Sequence, residues 1–162
     1  MNEGPSLYDQ DFVRWSEEQS AAIRAAAQSG ANLPLDWENI AEEIESLGRS
    51  DKRELRNRTR TLIAHLLKLQ CSPAAAPKEG WATTVRRTRQ EIEELIAESP
   101  SLRPERERIL RDVLASETDL TARELDTAGE ADAAATARNQ GRGYDVEHVF
   151  GDWMPVGTAA SP

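Results

Sequence analysis

The stretch of sequence that decides the fold is residues 62–69, which read Leu-Ile-Ala-His-Leu-Leu-Lys-Leu. On a helix, its apolar residues cover most of the circumference, and such a helix must be surrounded by neighbours. We therefore predict a central helix from Ser50 to about Cys71, which ends there because Pro73 and Pro77 follow. A histidine and a lysine interrupt the stretch, and it is far shorter than the roughly 20 apolar residues that span a membrane. No membrane helix is predicted.

Amphipathic patterns continue from this central helix in both directions along the chain. Each has an apolar stripe with helical spacing, and three of the four have a polar cap or a proline at their start. The four further helices are predicted over residues 9–28, 36–48, 80–98 and 104–129, with Gly30, Gly48 and Gly129 as stops. Alternation of apolar and polar residues with a period of two is absent, so strands receive little support.

The apolar stripes of the first two helices predict which side chains they bury. On the first helix the stripe consists of Phe12, Trp15, Gln19, Ala22, Ile23 and Ala26. On the second it consists of Trp37, Ile40, Ala41, Ile44 and Leu47. Both stripes are expected to face neighbouring helices of the same bundle.

The end of the chain carries a weaker signal. Residues 130–143 are alanine-rich and polar and predict only a weak helix, whereas Asp145 can cap a short turn after them. The aromatic and apolar residues available to dock this turn are Tyr144, Val149, Phe150 and Trp153.

The predicted fold is therefore all-α: a single helical bundle of about five amphipathic helices plus a short carboxy-terminal docking segment. We expect one domain over residues 7–155, with loose termini at residues 1–6 and 156–162.

Charge is unevenly distributed along this acidic chain of 162 residues, which has a net charge of −9. Residues 1–48 carry two basic and ten acidic groups, residues 49–89 eleven basic and three acidic, and residues 90–162 seven basic and sixteen acidic. The basic middle either neutralises its own flanks or presents a basic face to an acidic partner. The acidity argues against a globally basic nucleic-acid binder.

Most catalytic and metal-binding patterns are absent from the sequence. The single cysteine, Cys71, excludes an internal disulfide and a cysteine-rich metal site. The two histidines do not form Glu-x-x-His or His-Glu-x-x-His, and neither a nucleophile elbow nor a glycine-rich phosphate loop occurs. We expect no metal and no cofactor, and catalysis is the less favoured interpretation. The first residues show no secretory signal, so a cytoplasmic location is expected.

Four polar residues fall at or near apolar stripes and form a candidate cluster: Glu43, His65, Arg89 and Glu117. Charged groups that face a core must be paired, neutralised or ligated. Three interpretations stay open. The four residues form an internal network that fixes helix register, they form a site for a metal or for acid–base catalysis, or they never meet.

A candidate basic face follows from the spacing of arginines on the third helix, extended by the fourth: Arg53, Arg56, Arg60 and Arg86. Such a stripe can contact phosphates. Aromatic residues for base stacking are not interleaved with it, which favours a solvated face paired with acidic residues of the second helix.

The sequence also resembles an uncharacterised bacterial family, the twenty-ninth domain of unknown function. The resemblance rests on Tyr-x-x-Asp-Phe-x-x-Trp at residues 8–15, Glu-Glu-Ile-Glu-Ser-Leu-Gly-Arg at residues 42–49, and His-Leu-Leu-Lys at residues 65–68. It continues through residues 81–89 and 99–104 and ends near residue 155. It implies an all-helical, cytoplasmic, single-domain protein and carries no established activity. This chain departs from the family pattern at Leu69 and in the alanine-rich segment after Gly129.

The leading functional hypothesis is a non-enzymatic bundle that acts through protein–protein interaction, with another protein or with its own copy as a homodimer. One alternative is a nucleic-acid-associated regulator that uses the basic face. A second alternative is an enzyme or small-ligand binder that uses Glu43, His65 and Glu117 in general acid–base roles.

Overall fold

The computed structural model describes residues 5–30 and 32–155, and all the regular elements within these ranges are helical. Seven α-helices occur there: α1 (Leu7–Gln10), α2 (Phe12–Gln28), α3 (Trp37–Cys71), α4 (Lys78–Glu98), α5 (Glu105–Thr127), α6 (Ala131–Gln140) and α7 (Val146–Phe150). Short 3₁₀ turns, Pro100–Leu102 and Gly141–Gly143, precede α5 and follow α6. The prediction of an all-α helical bundle is confirmed.

The contacts of the chain divide it into two compact units. The first unit comprises Met1–Leu55 and Glu94–Pro104, and the second comprises Arg56–Glu93 and Glu105–Pro162. The prediction of one domain over residues 7–155 stays a prediction. Of the predicted loose termini, residues 1–4 and 156–162 lie outside the described residues.

In the first unit, the cap of α2 lies two residues after the predicted cap. Asp11, not Asp9, caps it: the Asp11 carboxylate accepts a hydrogen bond from the backbone N–H of Arg14 at 3.0 Å. The same carboxylate accepts bonds from the backbone N–H and the hydroxyl of Ser101, at 2.7 and 2.8 Å. This buried side chain therefore joins the start of α2 to the Pro100–Leu102 turn.

The predicted stop at Gly48 is wrong, because α3 continues without interruption from Trp37 to Cys71. Gly48 has an ordinary negative φ, whereas Gly30 and Gly129, the other two predicted stops, have φ of 81° and 85°. Gly48 is instead a point of close approach, since a Cβ atom there would lie 2.2 Å from the Ser16 hydroxyl oxygen of α2. The missing side chain lets two helices pack closely and does not end either of them.

The core of the second unit is built on the second half of α3. Its five large apolar residues are almost completely buried, which confirms the predicted central helix: Leu62, Ile63, Leu66, Leu67 and Leu69. Buried residues of the other helices of this unit include Val85 and Ile92 on α4 and Leu110 and Val113 on α5.

The alanine-rich segment predicted as a weak helix forms α6, a regular helix that packs along α5. Its buried side chains are all alanines: Ala133, Ala134 and Ala137. The predicted docking segment is confirmed, with Asp145 capping α7 and Tyr144 and Val149 buried. Within residues 5–30 and 32–155, no helix has the length and apolarity needed to cross a membrane.

Candidate interaction surface

Within the second unit, no hydrogen bond or ion pair joins any two of His65, Arg89 and Glu117, three residues of the candidate polar cluster. Glu43 belongs to the first unit and is exposed, while the other three belong to the second. The half-buried His65 ring places Nδ1 2.9 Å from the carbonyl oxygen of Thr61 in its own helix. His65, Arg89 and Glu117 therefore form no network among themselves, and the role of the full cluster stays a prediction.

Arg89 holds the docking segment in place. Its guanidinium donates hydrogen bonds to the backbone carbonyls of His148, Val149 and Trp153 at 2.8 to 3.0 Å. Burial lowers the pKa of this guanidinium, and the nearby carboxylate of Asp152 opposes that shift. These contacts give Arg89 a structural role within the second unit.

Glu117 is buried on α5 at 8% exposure, as its position in the apolar stripe predicts. Burial raises the pKa of its carboxyl group, Glu124 adds to the rise, and the positive charges of Arg60 and Lys68 oppose it. A single buried glutamate among these charges lacks the histidine partner that the acid–base hypothesis requires, so that hypothesis stays an unsupported prediction.

Two of the four arginines of the candidate basic face form local ion pairs. Arg56 pairs with Asp112 at 3.4 Å and Arg86 with Glu79 at 2.9 Å, so neither acidic partner comes from the second predicted helix. Within the described part of the chain, Arg53 and Arg60 form no ion pair. Two unpaired arginines offer fewer phosphate contacts than the predicted stripe of four, and the nucleic-acid hypothesis stays a prediction.

No metal site emerges from the described residues, in which no group of three or more histidine, cysteine or acidic side chains converges. Cys71 is half-buried, and burial raises the pKa of its thiol. A thiol with a raised pKa carries little thiolate at neutral pH and is a poor nucleophile.

Exposed apolar side chains are concentrated in the first unit. We use the term hairpin end for residues 21–47 of α2, the connection and α3. Of residues 21–30 and 32–47, only Ala41 is buried. The six large hydrophobic residues with the greatest exposure include four in the hairpin end: Leu33 (60%), Leu35 (47%), Ile40 (36%) and Leu47 (48%).

Next to the hairpin end, α2 and α3 approach closely through two small residues, Ser16 and Gly48. The buried residues of α2 are Val13, Ser16 and Ser20, and the buried residues of α3 in the first unit are Ala41, Gly48 and Leu55. The two predicted stripes lie beside this contact and remain partly or fully exposed, apart from Ala41. The helix periods were predicted correctly, but the faces that become buried were not.

Aromatic residues at the start of the first unit add to its uncovered apolar surface. Tyr8 is 53% exposed and packs edge-on against Phe12 and Trp15, with ring centroids 5.6 and 4.9 Å apart. Phe12 and Trp15 stack on each other at 5.7 Å and are only half-buried.

Ion pairs link the two helices of the hairpin end. Arg24 of α2 lies 2.9 Å from a carboxylate oxygen of Glu45, 3.3 Å from one of Glu38 and 3.5 Å from one of Glu42. Arg49 contacts the carboxylates of Glu42 and Glu45 as well. The hydrogen bond from Arg24 lowers the pKa of Glu45. Three carboxylates thus share two guanidinium groups, which leaves the cluster acidic.

The acidity extends to the whole first unit. It contains six basic and fourteen acidic residues, a net charge of −8, whereas the second unit contains fourteen basic and fifteen acidic residues, a net charge of −1. Nearly all of the protein's excess negative charge therefore lies in the unit that exposes the apolar side chains.

A comparison with known families assigns the chain to one of them. The family model described as Domain of unknown function DUF29 matches residues 7–135, more than three quarters of the chain. The chain belongs to this family. No curated protein and no solved structure matches it. The DUF29 match ends within α6, short of the predicted limit near residue 155, so the docking segment lies beyond it.

Leu33 and Leu35 are the residues of the hairpin end that sequence reasoning missed. They flank Pro34 in a connection and belong to no helical stripe, so a search by helical period passes over them. Two leucines beside a proline in an otherwise polar connection indicate an interaction surface, because a connection that covers no core gains no stability from exposed leucines.

Proposed function

We propose that this DUF29 chain is a protein-interaction module whose hairpin end binds a basic and partly apolar surface of another protein. The observation that carries the proposal is the concentration of exposed leucine and isoleucine in the hairpin end. Single exposed apolar residues are ordinary on protein surfaces, whereas their clustering in one segment is typical of interaction sites.

The spacing on α3 supports a helical or extended partner segment. Ile40 and Leu47 are seven residues apart, so they lie on the same side of α3, about two turns from one another. Leu33 and Leu35 precede the helix in the connection. Anchors at such intervals suit the insertion of an apolar face into a groove or along a helix.

The charge of the first unit favours a partner with a basic surface. A net charge of −8 attracts basic surfaces and speeds their association, and it repels acidic ones. A second copy of the chain would bring two such units together. Like-charge repulsion disfavours that arrangement, so we assign the surface to a basic partner rather than to a homodimer.

The test uses a synthetic helical peptide with leucines on one face and lysines on the other, labelled for fluorescence anisotropy. The comparison peptide has the same composition in scrambled order, so that it carries the charge without the apolar face. We expect the amphipathic peptide to bind the intact chain more tightly, with an affinity that falls as salt concentration rises.

Two matched variants locate the binding. Leu47→Ser and Leu120→Ser each remove one leucine of equal exposure, 48% in the hairpin end and 49% on α5. We expect Leu47→Ser to weaken peptide binding about fivefold, since covering a half-exposed leucine contributes about 1 kcal/mol. Leu120→Ser should leave the affinity unchanged.

Equal binding of both peptides, or equal effects of the two variants, would reduce the interaction to charge alone and overturn the proposal. Sedimentation velocity tests whether a second copy of the chain, instead of a basic partner, binds this surface. A dimer that Leu47→Ser converts to a monomer, with no effect of Leu120→Ser, would assign the surface to a second copy and overturn the choice of a basic partner.

A further inference from the structure

A cleft between α5 and the segment that follows it has a different character from the hairpin end. It has a volume of about 350 Å³ and lies entirely within the second unit. Its lining consists of three arginines, one aspartate, one threonine, a leucine and an alanine: Arg111, Arg138, Arg142, Asp119, Thr118, Leu114 and Ala115. Clefts of this size accommodate small molecules.

The arginines give the cleft a positive charge on an acidic protein. Arg111 pairs with Glu107 at 3.3 Å, although both side chains are about two-thirds exposed. Within the described ranges, Arg138, Arg142 and Asp119 form no ion pair. With Arg111 paired to Glu107, the charges of Arg138, Arg142 and Asp119 leave an excess of about one positive charge, which attracts a phosphate group.

Thr118 is a buried residue of the lining. It is 4% exposed, and its hydroxyl has no hydrogen-bond partner among the described residues. Gly141 lies against this side chain, since a Cβ atom there would be 2.4 Å from the Thr118 hydroxyl oxygen.

The apolar part of the lining indicates which chemical group accompanies the anion in the ligand. Leu114 is half-buried and Ala115 is exposed, one turn before Thr118 on α5. A bare inorganic anion would leave this apolar strip uncovered, whereas a ring attached to the anion would cover it.

The geometry points to a binding site for a small organic phosphate, a phosphate monoester with an apolar ring, held by Arg138 and Arg142. The bidentate guanidinium groups bind the phosphate oxygens, and the ring lies over Leu114 and Ala115. Sequence patterns do not reveal this site, because helix α6 is predicted only weakly and Arg142 stands between two glycines.

The test is calorimetric titration of the full chain with phenyl phosphate, inorganic phosphate, phenol and benzoate. We expect phenyl phosphate to bind at least tenfold more tightly than each of the others, because only it supplies both the dianion and the ring. Its affinity should rise with pH through about 6, where a phosphate monoester loses its second proton.

Matched variants test whether the ligand binds in this cleft. Arg138→Gln and Arg142→Gln should each weaken binding of phenyl phosphate about tenfold, as expected for the loss of a charge-assisted hydrogen bond. Arg123→Gln removes the same charge from an exposed position of α5 outside the cleft and should have no effect. Ala115→Phe, at an exposed position that tolerates the larger side chain, should abolish the advantage of phenyl phosphate over inorganic phosphate.

Three outcomes would overturn the proposal: no binding of phenyl phosphate, an equal loss of affinity in Arg123→Gln and Arg138→Gln, or tighter binding of benzoate. Titration with a short single-stranded oligonucleotide distinguishes a nucleic-acid backbone from a free phosphate ester. Binding of the oligonucleotide through Arg138 and Arg142, without binding of phenyl phosphate, would assign the cleft to a nucleic acid and overturn the small-molecule ligand.

Discussion

The two halves of α3 have similar amphipathic patterns but bury different side chains. The second half of α3, in the second unit, buries five large aliphatic residues almost completely. The first half of the same helix buries only Ala41 among residues 37–47 and leaves Ile40 and Leu47 exposed. An amphipathic pattern therefore predicts a helix equally well in both halves, but it predicts a self-sufficient core only in one.

The physical cause of the difference is the size of the side chains at the helix contact. When serine, alanine and glycine form the contact, the backbones approach closely and the large residues beside them are left at the edges. The edges then stay exposed unless a further element covers them. In the first unit no described element covers the hairpin end, and this is the region that we assign to a partner.

The sharpest way to break this comparison is to truncate one leucine in each half of α3. We expect Leu66→Ala to lower the free energy of unfolding by about 3–4 kcal/mol, because Leu66 is completely buried and a cavity remains. Leu47→Ala should cost less than about 1 kcal/mol, since half of that side chain already faces solvent. Urea denaturation followed by circular dichroism measures both changes. Similar losses would show that the hairpin end has a core after all.

A second experiment tests the cap of α2. Asp11→Ala should lower the free energy of unfolding by about 3 kcal/mol, because it removes a helix cap and the acceptor of two further hydrogen bonds from Ser101. Asp9→Ala, at the predicted cap, removes only an exposed hydrogen bond from Ser6 and should cost less than about 0.5 kcal/mol. Thermal denaturation of both variants decides between the two caps.

The misplaced cap shows how far the sequence specifies this fold. Asp9 and Asp11 are both good caps by residue type, and only the contact with Ser101, ninety residues away, selects Asp11. The same applies to Gly48, which looks like a helix stop until Ser16 is placed beside it. Helix existence follows from local pattern and was predicted. The choice of cap, stop and buried face depends on partners distant in sequence and was not.

The candidate sites also contain features that the sequence predicts and features that it does not. Burial of Glu117 follows from helical periodicity alone and was predicted from the sequence. The exposure of Leu33 and Leu35, and the cleft lined by Arg138 and Arg142, depend on which helices meet, so periodicity contains no information about them.

A third experiment tests close packing in the second unit. Gly141→Ala should lower the free energy of unfolding by about 2 kcal/mol, because the added Cβ would lie within 3.0 Å of three Thr118 side-chain atoms, which cannot all move away. Thr118→Ala in the same chain should restore most of this loss, which a double-mutant cycle would show as a coupling between the two positions. Gly143→Ala is the control, since a Cβ there meets nothing within 4 Å. Equal costs at the two glycines would contradict the close contact.

The smallest expected effect is a pH-dependent change in the free energy of unfolding, which has opposite signs for one glutamate of each unit. In the first unit, the hydrogen bond from Arg24 lowers the pKa of Glu45. In the second, burial raises the pKa of Glu117. The contribution of Glu45 to stability is therefore present above the pKa of the unfolded chain, about 4.3, and is lost as pH falls through the lowered pKa. The contribution of Glu117 is present below about 4.3 and is lost as pH rises through the raised pKa.

Glutamine variants at the two positions should therefore have opposite pH profiles in urea denaturation. Glu45→Gln should destabilise the protein at neutral pH, with an effect that fades in acid. Glu117→Gln should stabilise it at neutral pH, because the buried carboxylate is removed, with an effect that fades as Glu117 becomes protonated. Destabilisation by Glu117→Gln at neutral pH would mean that Arg60 and Lys68 outweigh burial. Glu117 would then be a paired charge like Glu45, and the electrostatic contrast between the two units would disappear.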